Sequence, residues 1–235
     1  MRKTLMGLFK MLLVLVIMLY AEQYCTAFLT WLGLDLKLLT PLWQEVIILI
    51  IYGLILACVY IFYRADLAND WSRFKRNWFP NLLMAIVFFA IITIVVWVVS
   101  YLSEVGANAL KVKFMGLNHL NVFREPLSLQ VVIFIIKNII IIPFIYCTVY
   151  ILGIYEIFKS EKMSVVGSGL IAAIVASLSI KGSLLMIAIN VIPYFTLYFG
   201  LAYIYRKNNH NIWFALTSVI LYTFLASVLI ERIAR

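Results

Sequence analysis

Charge is scarce in this 235-residue chain. Only 12% of its residues are charged, against about 25% in an ordinary soluble domain. That is too little polar surface to cover a water-soluble globule, which excludes a cytosolic enzyme, a secreted disulfide scaffold and a disordered tail. Histidine is limited to His119 and His210, and cysteine to Cys25, Cys58 and Cys147. No Cys pair forms C-x-x-C, and the two His supply no zinc-type spacing. The cysteines lie in or beside apolar runs and read as buried membrane thiols. Nothing in the pattern calls for a metal or a cofactor.

What the chain has instead is hydrophobic length. Hydrophobic residues make up 66% of it, and the mean hydropathy is +1.07. A helix needs about 20 apolar residues to cross the hydrocarbon core. Seven segments reach or approach that: 4–22 (with a continuation to 32), 44–63, 80–103, 127–158, 163–180, 183–205 and 211–230. Only helices satisfy their own backbone within one segment in lipid. The expectation is a single all-α transmembrane domain over residues 1–235, a bundle of about seven helices. An eighth helix or a re-entrant segment would reverse the C-terminus. The stretch Glu22-Gln23-Tyr24-Cys25 lacks a small-residue cleavage site, so the first run reads as a retained helix.

The formal net charge is +9. In a soluble chain this would suggest nucleic acid. Here the basic residues lie between apolar runs, where they set topology and meet anionic head groups. The partner implied is the lipid bilayer, and no nucleic acid. With a cytoplasmic N-terminus, eleven Lys and Arg fall inside and seven outside, with Lys137 within a span. That bias favours N-in. The abundance of Ile, Lys and Asn fits a bacterial plasma membrane.

Segment 64–79 reads as the longest inside loop. Trp71, Phe74 and Trp78 recur there at three and four, interleaved with Arg73, Lys75 and Arg76. Rings at head-group depth and cations toward phosphate make this a candidate interfacial anchor. Segment 104–126 is the longest outside loop and the best surface for an extracytoplasmic partner. Segment 163–180 carries Gly169, Ala172, Ala173, Ala176 and Ser177 at close-packing spacings, and is expected to be the most buried helix. Pro143 and Pro193 predict kinks.

Ionisable groups at membrane depth cost about 3 kcal/mol or more, so each is a functional candidate. They are Lys137, Glu22 and Glu156, with Asn190 as a polar companion. Lys137 is expected to snorkel to the outer interface, or else to face inward toward an anionic or carbonyl partner. Asn190, three residues before Pro193, is expected to satisfy freed backbone groups or a neighbouring helix. The expected helix interiors hold no histidine and no pair of aspartates, so water-activating chemistry has no obvious residues to run on.

Residues 127–230 resemble the core of the CAAX-protease and bacteriocin-processing family, also called the Abi or lysostaphin-resistance-like family. The likeness lies in Ile141-Ile142-Pro143-Phe144-Ile145, the basic turn Lys159 to Lys162, the small-residue helix 163–180, the run Tyr198 to Lys207 and the opening Asn211-Ile212-Trp213-Phe214-Ala215. Active members of that family carry a paired-glutamate motif with an arginine, then two histidine motifs. At the corresponding positions this chain has Tyr146 and Cys147, then Ile151, then Ser177 to Lys181, then Val219 and Thr223. The resemblance therefore implies a degenerate member without proteolysis, with no catalytic residue to carry over. The function it implies is a non-catalytic membrane scaffold or regulator of another membrane or cell-envelope protein. Two alternatives stay open: an intramembrane peptidase using Glu22, Glu156 and His210, and a transporter subunit using Lys137 and Asn190.

Overall fold

The computed structural model of the chain describes residues 2–33, 39–117 and 128–228, without the side chains of Arg2, Lys3, Glu22 and Val228. Its helices are α1 (Arg2–Trp31), α2 (Pro41–Arg76), α3 (Trp78–Ala109), α4 (Leu129–Ile157), α5 (Glu161–Ser179), α6 (Leu184–Lys207) and α7 (Ile212–Val228). Among the described residues there is no strand. Six of these helices, α1 to α6, are long and apolar enough to cross a membrane, and α7 is a shorter apolar helix. The fold is an all-α polytopic bundle, that of an integral membrane protein.

Local chemistry accounts for the helix ends. Pro41 opens α2 at a first-turn position, where its missing N–H costs nothing. Ser183 opens α6, its hydroxyl accepting from the Met186 N–H at 3.3 Å. α3 closes with Lys111 in the left-handed region (φ 55), and the Val112 N–H reaches back to the Ala107 carbonyl at 2.9 Å. α6 closes the same way, through Asn209 (φ 53) and a bond from the His210 N–H to the Tyr205 carbonyl at 3.0 Å.

α2 corrects one reading of the sequence. Its 36 residues extend about 54 Å, well beyond the ~30 Å hydrocarbon core. Segment 64–79 is therefore not a loop: the helix runs unbroken to Arg76, and only Asn77 separates it from α3. The charged surface of that extension hides an inner seam, Tyr63, Leu67, Asp70 and Phe74, all buried. The seam packs against α7.

α4 occupies the centre, touching α1, α2, α5, α6 and α7. Residues 147–154 are buried without interruption, as in a helix surrounded on all sides. Two stretches of α4 are π-helical, Ile136–Ile141 and Val149–Gly153. The first ends just before Pro143, whose ring removes a donor and crowds the preceding turn. A locally widened turn accommodates both effects.

The small-residue helix α5 is not the most buried element. α4 buries fourteen of its 29 residues against six of nineteen in α5, and nine of the sixteen residues from Ile212 to Ser227 in α7 are buried. α5 packs tightly against one neighbour, α6. A Cβ on Gly169 would stand 2.8 Å from the Phe195 ring and 2.9 Å from its carbonyl oxygen.

Candidate functional site: a tyrosine-lined cavity

The bundle has two ends. One holds the turns at 77, 158–160 and 208–211; the other holds segment 110–117 and the turn at 180–183. A cavity of about 340 Å³ lies toward the second end, between α4, α5, α6 and α7. Each helix contributes residues four apart. Asn138, Ile142, Tyr146 and Tyr150 come from α4, and Tyr194 and Tyr198 from α6. α7 adds Val219, Thr223 and Ser227, with Tyr222 beside them. α5 adds Ala172 and Ala176, whose short side chains leave the space open. Tyr150 meets Tyr198 edge to face at 4.8 Å, and Tyr146 leans on Tyr150 at 5.2 Å.

Segment 112–117 roofs this cavity with Met115, Gly116 and Leu117. Asn190 holds the roof down. Its amide is fully buried and donates to the Lys113 carbonyl at 3.0 Å and the Met186 carbonyl at 2.8 Å. Its oxygen accepts from the Met115 N–H at 2.6 Å. The partner of Asn190 is thus the returning chain after α3 together with a carbonyl of its own helix.

Lys137 stands next to the cavity but faces α2. Its ammonium lies 2.7 Å from the Glu45 carboxylate, and the two side chains are 8% and 18% exposed. It does not snorkel out of the bundle, because an acidic partner is available inside it. Glu156 pairs with Lys10 of α1 at 3.2 Å. The side chain of Glu22 and all of His119 lie outside what the structure describes.

The opposite end is held by Asp70. One carboxylate oxygen accepts from the Ile212 N–H at 2.9 Å and the other from the Arg73 guanidinium, while the Asp70 carbonyl accepts from the Asn211 amide at 3.0 Å. Arg73 also donates to the carbonyls of Asn209 and His210, at 2.9 and 3.1 Å. This changes the reading of the aromatic-basic segment. Phe74 is buried on Phe214, centroids 5.1 Å apart, and Trp71 packs at 4.6 Å on Trp213. Phe74 belongs to the buried inner seam of α2, whereas Trp71 lies beside it and stays 45% exposed. Arg73, Lys75, Arg76 and Trp78 are exposed as well.

His210 lies 3.5 Å from Glu161, which also takes Arg206 at 2.9 Å, and its ring contacts Tyr155 and Tyr205. Glu156 and His210 are thus held by different partners. Among the described residues no group of three or more His, Cys, Asp or Glu is arranged to hold a metal ion. In α5, Gly169 and Ala172 are buried, Ala173 and Ala176 are half-buried, and Ser177 donates to the Ile174 carbonyl of its own helix at 2.6 Å.

The cavity escaped the sequence because its tyrosines come from three helices. The visible signal was the repeated four-residue spacing, Tyr146 with Tyr150 and Tyr194 with Tyr198, which sets two rings on one helical face.

No protein-family model, curated protein sequence or solved structure matches the chain. The resemblance of residues 127–230 to the CAAX-protease and bacteriocin-processing family gains no support from those comparisons.

Proposed function

We propose that this protein is a non-catalytic membrane scaffold or regulator that binds another membrane or cell-envelope protein, as a degenerate relative of the CAAX-protease-like family. One observation carries the reading. Several of the positions that the resemblance equates with the family's acid and histidine groups line one cavity, Tyr146 on α4, Ser179 and Ile180 at the end of α5, and Val219 and Thr223 on α7, while Cys147 and Ile151 are buried outside its lining. Among the described residues lining it there is no carboxylate, imidazole or cation of the kind that activates water. The intramembrane polar groups that would serve a transporter are already engaged in holding the bundle, Lys137 by Glu45 and Asn190 by segment 113–115. The excess of cations at the 158–160 and 208–211 end supports a cytoplasmic N-terminus, and the Ile, Lys and Asn usage supports a bacterial plasma membrane.

Crosslinking in native membranes followed by affinity purification in mild detergent tests the scaffold. One membrane or envelope protein in stoichiometric yield is the expected product. A monodisperse chain that carries no partner sinks the proposal. Labelling with a membrane-impermeant maleimide tests orientation: a cysteine at position 111 should react from outside, and one at 208 only after permeabilisation.

A further inference from the structure

We infer that the tyrosine-lined cavity is a binding site for an uncharged amphiphile with a hydroxyl-bearing head, of the monoacylglycerol class. Its volume of about 340 Å³ falls at the lower end of ordinary small-molecule sites, about 300–1,000 Å³.

The lining chooses the chemistry. None of the described residues around the cavity is Asp, Glu, Lys, Arg or His. Two cations adjoin the lining in sequence: Lys137, beside Asn138, is turned to Glu45, and Lys181, after Ile180, is exposed at the turn between α5 and α6 and is not among the lining residues. A charged ligand at membrane depth would therefore lack a counter-charge and bear most of its desolvation cost. Hydroxyl and amide groups line it by contrast, on the five tyrosines and on Asn138, Ser179, Thr223 and Ser227; Asn138 donates to the Phe134 carbonyl and Thr223 to the Val219 carbonyl of their own helices, and each keeps its oxygen as an acceptor. A hydroxyl donates and accepts, so such a wall matches another neutral hydroxyl group without a fixed polarity.

The apolar part of the lining, including Ile142, Leu197 and Val219, suits a hydrocarbon stem. The roof clamped by Asn190 closes the end at which the head would sit. This inference does not rest on the proposed protein partner, since a pull-down and a ligand titration read different surfaces.

Three probes with the same oleoyl-type chain separate the possibilities: monooleoylglycerol (neutral), oleate (anionic) and oleyltrimethylammonium (cationic, a control for capture by tyrosine rings alone). The protein is reconstituted in phosphatidylcholine nanodiscs and its thermal unfolding followed against probe concentration. Monooleoylglycerol should give a saturable upward shift of the midpoint, and the two charged probes none. Ala176→Leu, which fills the cavity, should abolish the shift. Thr223→Val, nearly isosteric, should weaken it about fivefold, the size of one buried hydrogen bond. An equal shift with either charged probe, or a shift unchanged in both variants, overturns the inference.

Discussion

The ion pair between Lys137 and Glu45 gives the sharpest test of the bundle's interior. Lys137→Met keeps the length of the side chain and removes its charge. Glu45 is then left 18% exposed with no partner, and breaking a buried pair in this way costs ~3–5 kcal/mol in soluble proteins. Part of the Glu45 carboxylate reaches solvent, which reduces that cost here. The expected loss is about 2–3 kcal/mol. Glu45→Leu strands an ammonium whose side chain is only 8% exposed, so its loss should be about 3–4 kcal/mol. The double variant buries two apolar side chains of similar volume and should fall within ~1 kcal/mol of the parent. The coupling energy is then several kcal/mol, far above the ~0.6 kcal/mol average for polar pairs in a membrane protein. Reversible unfolding in mixed micelles titrated with sodium dodecyl sulfate reads all four corners of the cycle. Additive losses, with coupling below ~0.5 kcal/mol, would refute the claim that these two groups hold α2 to α4.

Other perturbations address separate contacts. Asp70→Ala removes the acceptor for the Ile212 N–H and the partner of Arg73; a loss of about 2–3 kcal/mol is expected, and faster amide exchange over residues 212–215 should report it, with Asp70→Asn retaining most of the protection. Asn190→Leu leaves the Met115 N–H and the Lys113 carbonyl without their side-chain partner, so exchange at Met115 should rise about tenfold while the helices keep their protection. Gly169→Leu drives a side chain into Phe195 and should cost ~1–3 kcal/mol. Its neighbour Leu170, 51% exposed, should tolerate Ala within ~0.5 kcal/mol, and equal losses at the two sites would reverse the assigned face of α5.

The spans were legible because their signal is sheer apolar length. Residues 44–63 and 80–103 fall inside α2 and α3, and 183–205 matches α6 except for Ser183, its cap. The extension of α2 was hidden by its own surface. Arg64, Arg73, Lys75 and Arg76 suggest a loop when read one by one, yet Tyr63, Leu67, Asp70 and Phe74 recur every three to four residues and make one buried seam. An aspartate in that seam breaks the apolar pattern, and only the N-terminus of α7, 142 residues further on, explains it. Lys137 poses the same problem. Its depth was readable, but its partner lies 92 residues away, and no local spacing connects them. Small residues were ambiguous for another reason. Gly169 draws two helices together, whereas Ala172 and Ala176 leave a space unfilled, and the same letter pattern serves both.

The two π stretches of α4 explain how one helix lines the cavity over three turns. In an ordinary α-helix, with 3.6 residues per turn, a step of four residues overshoots a full turn by about 40°. Three such steps, from Asn138 to Tyr150, would swing the last side chain about 120° from the first, onto a different neighbour. A π turn closes its hydrogen bond one residue later and is wider, so it rotates less per residue and works against the overshoot. The first stretch, Ile136–Ile141, begins the stripe, and the second, Val149–Gly153, ends it. Asn138, Ile142, Tyr146 and Tyr150 thereby stay on the cavity, while Lys137 keeps its hold on α2 and Glu156 its hold on α1. The irregularity follows from geometry: a central helix must serve the cavity, α1 and α2 in one pass through the bundle, and a uniform 3.6-residue twist cannot keep all three in register.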